Sequence, residues 1–160
     1  MRYIVRQKIF SLGDSFAIKD ITGNDVFIVR SQVLSLGHKL RIFDLSGNEL
    51  CFIEQKLFRF MPEYNIYIAG QQVANIKKKF AFLKNDFVIN TNDMTQYVVQ
   101  GDFWAHEFNL VKNGRITARI SKQFFAMSDT YGVDIEDGED QISNLALAIV
   151  IDMACHDNDR

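Results

Sequence analysis

The stretch Glu139-Asp-Gln-Ile-Ser-Asn-Leu-Ala-Leu-Ala-Ile-Val-Ile-Asp-Met-Ala154 has the length and spacing of a helix, and it is apolar nearly all the way round. On a wheel of 3.6 residues per turn, Ile142, Leu145, Ala146, Ile149 and Met153 cover one side, and Leu147, Val150, Ile151 and Ala154 cover the other. A helix without a continuous polar face is buried in protein or in lipid. Its longest uninterrupted apolar run, Leu145 to Ile151, stops at Asp152. A membrane-spanning helix needs about 20 predominantly apolar residues, so a buried helix that does not span a membrane is expected. Asp137 is the expected N-cap, with Asp140 three residues on, and the acidic cluster suits the positive end of the helix dipole.

Everything before this stretch reads as strands that do the burying. Phe16-Ala-Ile-Lys-Asp20, Ile-Thr-Gly-Asn-Asp25 and Val26-Phe-Ile-Val29 form a strand, a tight turn and a strand. Gly and Asn tolerate the left-handed dihedrals that such turns require. The device returns from Leu40 to Ile53 around Asp44-x-x-Gly-Asn-Glu49, and further hairpins are expected over 64–76, 87–99 and 107–120. Including the alternating N-terminal segment Met1–Phe10, which lacks the uninterrupted apolar core of a signal peptide, ten to twelve strands are expected. Drifting spacing favours a β-meander over a solenoid. A closed sheet of this size leaves an interior that needs filling. The fold class is therefore a mainly β protein, a closed antiparallel β-barrel of about twelve strands around one buried hydrophobic C-terminal helix, with residues 1–160 as a single domain.

Composition agrees. The 160 residues are 48% hydrophobic with 14 Phe and a single Pro, ample for a core and unlike a disordered chain. A net charge of −2 gives no global signal for nucleic acid. Cys51 and Cys155 stand alone, as ordinary thiols of a reduced, cytoplasmic protein do.

The Asp-x-x-Gly hairpins, Val73-Ala-Asn-Ile-Lys-Lys-Lys79, Ala118-Arg-Ile-Ser-Lys122 and Asp129-Thr-Tyr-Gly-Val133 before a hydrophobic C-terminal helix resemble the LURP-one-related proteins. These are similar to the tubby C-terminal domain and the phospholipid scramblases. The resemblance covers essentially the whole chain and implies a twelve-stranded barrel around a hydrophobic helix. For function it implies only a loose range, since tubby domains bind phosphoinositides and scramblases bind membranes and calcium.

No catalytic constellation stands out. Gly13-Asp-Ser-Phe-Ala17 lacks the second Gly of a nucleophile elbow and precedes a strand, so it reads as a turn. His38, His106 and His156 lie in separate segments without metal-ligand spacing, and no cofactor is expected. The densest positive charge is Lys77-Lys-Lys79, which Lys56, Lys84, Arg119 and Lys122 join if the hairpins stack. Lys77, Lys79, Arg119 and Lys122 are thus the candidates for an anionic head group, weighed against a solvated strand end. With Ile76 and Phe80 inward, Lys78 must sit at a rim or bulge or pair with an acid. Asp129, Asp134 and Asp137 lie in an acidic stretch that suits calcium by composition, but its spacing is no EF-hand and capping accounts for it. Asp152 is expected where the helix emerges, or paired with a barrel-lining Lys, Arg or backbone amide, since a buried carboxylate must be compensated. Clustered Phe80, Phe82, Phe124 and Phe125 read as packing. The expected function is a non-enzymatic cytoplasmic binding module, monomeric and peripheral to the membrane at most, engaging anionic lipid or a protein partner on the barrel exterior. The rivals are an adaptor with no small ligand and an enzyme with a site at the rim.

Overall fold

The computed structural model describes residues 1–7, 15–34, 37–79, 87–124 and 129–156. Twelve strands run in chain order: β1 (Arg2–Arg6), β2 (Ser15–Asp20), β3 (Asp25–Leu34), β4 (Gly37–Phe43), β5 (Glu49–Gln55), β6 (Glu63–Ile68), β7 (Gln71–Lys78), β8 (Phe87–Thr91), β9 (Tyr97–Asp102), β10 (Glu107–Lys112), β11 (Arg115–Ser121) and β12 (Thr130–Ile135). Each pairs antiparallel with its sequence neighbours, and β12 pairs with β1 through Tyr3↔Val133 and Val5↔Tyr131, which closes the barrel. Closure removes the exposed edges of an open sheet. The one helix among the described residues, α1 (Gln141–His156), follows β12.

Turn chemistry sets the hairpins. Gly23 and Gly47 take φ of 87° and 89° in the two Asp-x-x-Gly turns. Contrary to expectation, Asn24 and Asn48 are not left-handed. Their backbone N–H groups instead donate to Asp20 Oδ1 (3.0 Å) and Asp44 Oδ1 (2.9 Å), so the Asp side chain ties the turn.

The strand interiors alternate as a half-buried sheet must. Val29, Ile42, Ile53, Tyr64, Ile76, Leu110, Ile120 and Val133 point inward and are essentially inaccessible. They surround α1, in which every residue from Asn144 to Cys155 is buried. No described helix is long and apolar enough to cross a membrane. The helix begins two residues later than the stretch that announced it. Asp140, not Asp137, is its N-cap, because Asp140 Oδ1 accepts from Ser143 N at 2.6 Å. Asn144, the polar residue of the first buried turn, is satisfied by Asp140 O (2.8 Å) and the Thr117 hydroxyl (2.7 Å).

Both cysteines are buried. Burial, with the nearby charges of Glu49 and Asp140, pushes the Cys51 thiol up to about 12. A thiol of that kind is hardly ionised at neutral pH. Cys51 should therefore resist a disulfide reagent in the native protein and react once it is unfolded. Rapid native labelling, located by mass spectrometry, would refute its place in the core.

Candidate functional site

The antiparallel meander divides the barrel into two ends. The N-terminus of α1 lies at one, with Gln141 Oε1 accepting from the Tyr3 hydroxyl at 3.0 Å. The C-terminus of α1 emerges at the other, beside the β5–β6 and β9–β10 connections and the last residue of β7. The two ends differ in charge. Near the helix N-terminus, Arg2, Lys19, Arg41 and Lys112 are matched by Asp134, Asp25, Glu49 and Glu139. Asp20, Asp44, Asp93, Asp137 and Asp140 add negative charge there. Around the β5–β7 wall at the helix C-terminus, Lys56, Arg59, Lys77, Lys78 and Lys79 outnumber Glu54 and Glu63.

The β5–β6 connection, Lys56-Leu-Phe-Arg-Phe-Met-Pro62, gives this basic rim an apolar crest. Phe58 is 95% exposed and Phe60 92%, and Phe58 has a φ of 56°. A positive φ is an outlier for a bulky side chain, so the loop spends strain to hold a bare ring in solvent. Arg59 Nε bonds Glu63 Oε2 at 2.9 Å, and Lys77 Nζ lies 3.5 Å from Glu63 Oε1. Burial works against the Glu63 charge, but the Asn75 hydrogen bond and the Lys77 and Arg59 charges together hold its pKa below the usual value. Asn75 is itself held by Asn65 Oδ1 at 2.8 Å, so Glu63 is a fixed anchor for both cations. Arg59, Phe60, Met61, Glu63, Lys77 and Lys78 line a surface hollow of about 290 Å³.

The four basic residues expected to act together do not all meet. Lys77 and Lys79 are exposed at this rim. Lys122 lies at the same end, just past β11, four strands round the barrel from β7. Arg119 is on the outer face of β11 and pairs with Glu136. Lys84 is outside the described residues, as are Phe80, Phe82, Phe125 and the start of the Gly13–Ala17 turn; Ser15 opens β2. Phe124 carries the Arg2 guanidinium 4.2 Å from its ring centroid. Lys78 occupies the rim but pairs with no acid among the described residues. Its ammonium donates to Ala154 O at 3.3 Å and lies 4.3 Å from the Trp104 ring centroid, so it caps the negative end of the helix dipole.

The acidic stretch also resolves differently. Thr130–Ile135 is strand rather than loop, because Tyr131, Val133 and Ile135 alternate into the core. Asp129 and Asp137 therefore flank opposite ends of β12, and Asp134 between them bonds Arg2 at 3.0 Å. The three do not converge as ligands.

Beneath Trp104 lies an arrangement that the sequence did not announce. Asp152 is buried and, among the described residues, pairs with neither Lys, Arg nor backbone amide. Its Oδ1 lies 2.5 Å from His106 Nε2 and 3.1 Å from His156 Nδ1. The two imidazoles stack at 4.5 Å between centroids and 10° between planes. His106 comes from the tight β9–β10 turn with a φ of 56°, and its ring also stacks on Tyr131 at 4.9 Å. His156 Nε2 lies 3.0 Å from Trp104 O. Burial disfavours the Asp152 charge, but hydrogen bonds to His106 and His156 and their charges hold its pKa below the ordinary value. The Asp152 hydrogen bond raises that of His156 against the opposing effect of burial. Burial, with the Asp152 charge and hydrogen-bonding potential, drives Tyr131 well above its usual value. The one local clue was the i,i+4 spacing of Asp152 and His156, which puts both on one helix face.

A family model described as LURP-one-related matches residues 1–152. The chain belongs to the LURP-one-related family. Within reach of it is the uncharacterized protein YxjI of Bacillus subtilis (strain 168), 36% identical over 155 residues, covering 97% of this chain and 94% of that protein. An X-ray structure of a protein from Arabidopsis thaliana superimposes with a TM-score of 0.67 at 15% identity, covering 99% of this chain and 91% of the other. At that identity the likeness speaks to the fold alone.

Proposed function

We propose that this LURP-one-related chain is a non-enzymatic module that docks peripherally on anionic phospholipid surfaces, cytoplasmic leaflets included, with the rim at the C-terminus of α1 facing the lipid. The observation that carries this reading is the crest on which the exposed rings Phe58 and Phe60 alternate with Lys56 and Arg59. Basic residues near an anionic leaflet contribute about 1 kcal/mol each, and aromatic side chains sit well at the head-group level. The hollow beside Phe60, with Arg59, Lys77 and Lys78 around it, has the charge to receive a phosphate-bearing head group. The acidic opposite end orients the barrel with this rim towards a negative surface.

The test is co-sedimentation with phosphoinositide vesicles against neutral phosphatidylcholine vesicles. Binding is expected to the former only and to weaken with salt. The Phe58→Ser/Phe60→Ser pair should abolish it without changing the melting temperature, since both rings are exposed. The Lys77→Glu/Lys79→Glu pair should abolish it too while lowering the melting temperature, since Lys77 faces Glu63. Binding unaffected by either pair overturns the reading. Failure to bind any vesicle leaves the crest as a protein-docking surface instead.

A further inference from the structure

We propose that His106, Asp152 and His156 form a binding site for one divalent transition metal of the zinc class, independent of the membrane reading. One ligand atom from each residue falls within a set whose members all lie within 4.8 Å of one another. Zinc–nitrogen and zinc–oxygen bonds of about 2.0–2.2 Å place tetrahedral ligand atoms roughly 3.4 Å apart. Of the separations here, the 3.1 Å from Asp152 Oδ1 to His156 Nδ1 is near that value. The 2.5 Å to His106 Nε2 is a hydrogen-bond distance that side-chain rotation must open by roughly 0.9 Å for the metal to enter.

The donor set selects the metal. Two imidazoles and one carboxylate suit zinc, cobalt, iron or manganese, whereas calcium and magnesium take oxygen. The surroundings also meet what a ligand histidine needs. His156 Nε2 is committed to Trp104 O at 3.0 Å, which leaves Nδ1 to face Asp152, and such outer contacts orient metal-binding rings.

The decisive observation is what hydrogen bonding leaves undone. His106 Nδ1 and Asp152 Oδ2 are buried without a partner in hydrogen-bonding geometry. The Tyr131 hydroxyl meets that geometry with no neighbour, although it lies close enough to Asp152 to feel its carboxylate. His106 and Asp152 are 2% exposed and Tyr131 is 0% exposed. Polar atoms left unsatisfied together in one small buried volume are costly. A cation gives the second carboxylate oxygen a partner. It also offsets a negative charge held at the negative end of a helix dipole. The Tyr131 hydroxyl, whose ring stacks on His106, is then a donor to whatever fills the open coordination position. Entry is from the rim, where His156 is the least buried of the three ligands.

The test uses the full chain stripped with chelator and re-equilibrated with cobalt(II) or zinc. About one equivalent of metal per chain should remain after gel filtration, and cobalt should give the intense visible bands of a low-coordinate site. His156→Ala should weaken binding by about 10-fold or more while the circular dichroism of the barrel is kept. The wild-type cobalt spectrum needs no variant and decides the matter if His156→Ala does not fold. Sub-stoichiometric metal with no such bands, or equal retention by a folded His156→Ala protein, overturns the proposal and leaves the cluster a buried hydrogen-bonded network.

Discussion

Deleting residues 139–160 leaves a chain that does not fold. The deleted segment contains α1, whose buried Leu145, Leu147, Ile149, Val150, Ile151 and Met153 are at most 3% exposed. Each such side chain contributes roughly 1.5–3 kcal/mol by leaving water. Together they rival the whole stability of an ordinary domain, about 5–15 kcal/mol. The strands lose as much in return, since Ile42, Ile53, Ile66 and Leu110 would face a void too wide for the sheet to collapse into. Far-ultraviolet circular dichroism and urea titration check this. A truncated protein with a sharp unfolding transition would mean that the helix is an appendage rather than the filling of the barrel.

Asp152→Ala in the metal-free protein should cost roughly 3–5 kcal/mol, the range for breaking a buried ion pair by removing one partner. The loss exceeds that of a truncated surface carboxylate because His106 Nε2 would be left buried without its acceptor. His106→Leu combined with Asp152→Leu should cost less than the two single changes together, because no unpaired charge then remains. Denaturant unfolding of the three variants gives the coupling. Additive losses would show that the two side chains act separately, against their 2.5 Å contact.

The barrel was legible because its signals are local. Alternation at period two, Asp-x-x-Gly turns and a helix apolar on every side each need only a few neighbouring residues, and all appear in the structure. Where local signals compete, the reading slipped. Asp129, Asp134 and Asp137 grouped as an acidic stretch by composition, although Tyr131, Val133 and Ile135 carry a strand period that holds the three apart. Asp137 and Asp140 both suit an N-cap, and only geometry chooses between them.

The functional end was far less legible, because closure of the barrel creates it. His106 lies 46 residues from Asp152, and nothing in either segment points to the other. Lys77 and Lys79 were identifiable as a cationic cluster, but Arg119 faces Glu136 on an outer wall that the sequence could not orient towards them. Phe58 lies in a run of apolar and basic residues where nothing local separates an exposed ring from a packed one. Its exposure follows from the left-handed turn that the β5–β6 connection takes at that residue.

Trp104 is the chain's single tryptophan, and it sits 52% exposed on the rim between Lys78 and His156. Its fluorescence therefore reports directly on whether this end meets lipid. Titration with phosphoinositide vesicles should shift its emission to shorter wavelength as the indole leaves water, while phosphatidylcholine vesicles leave it unchanged. Emission that stays at its aqueous position while the protein co-sediments would place the contact elsewhere on the barrel and contradict the rim as the docking surface.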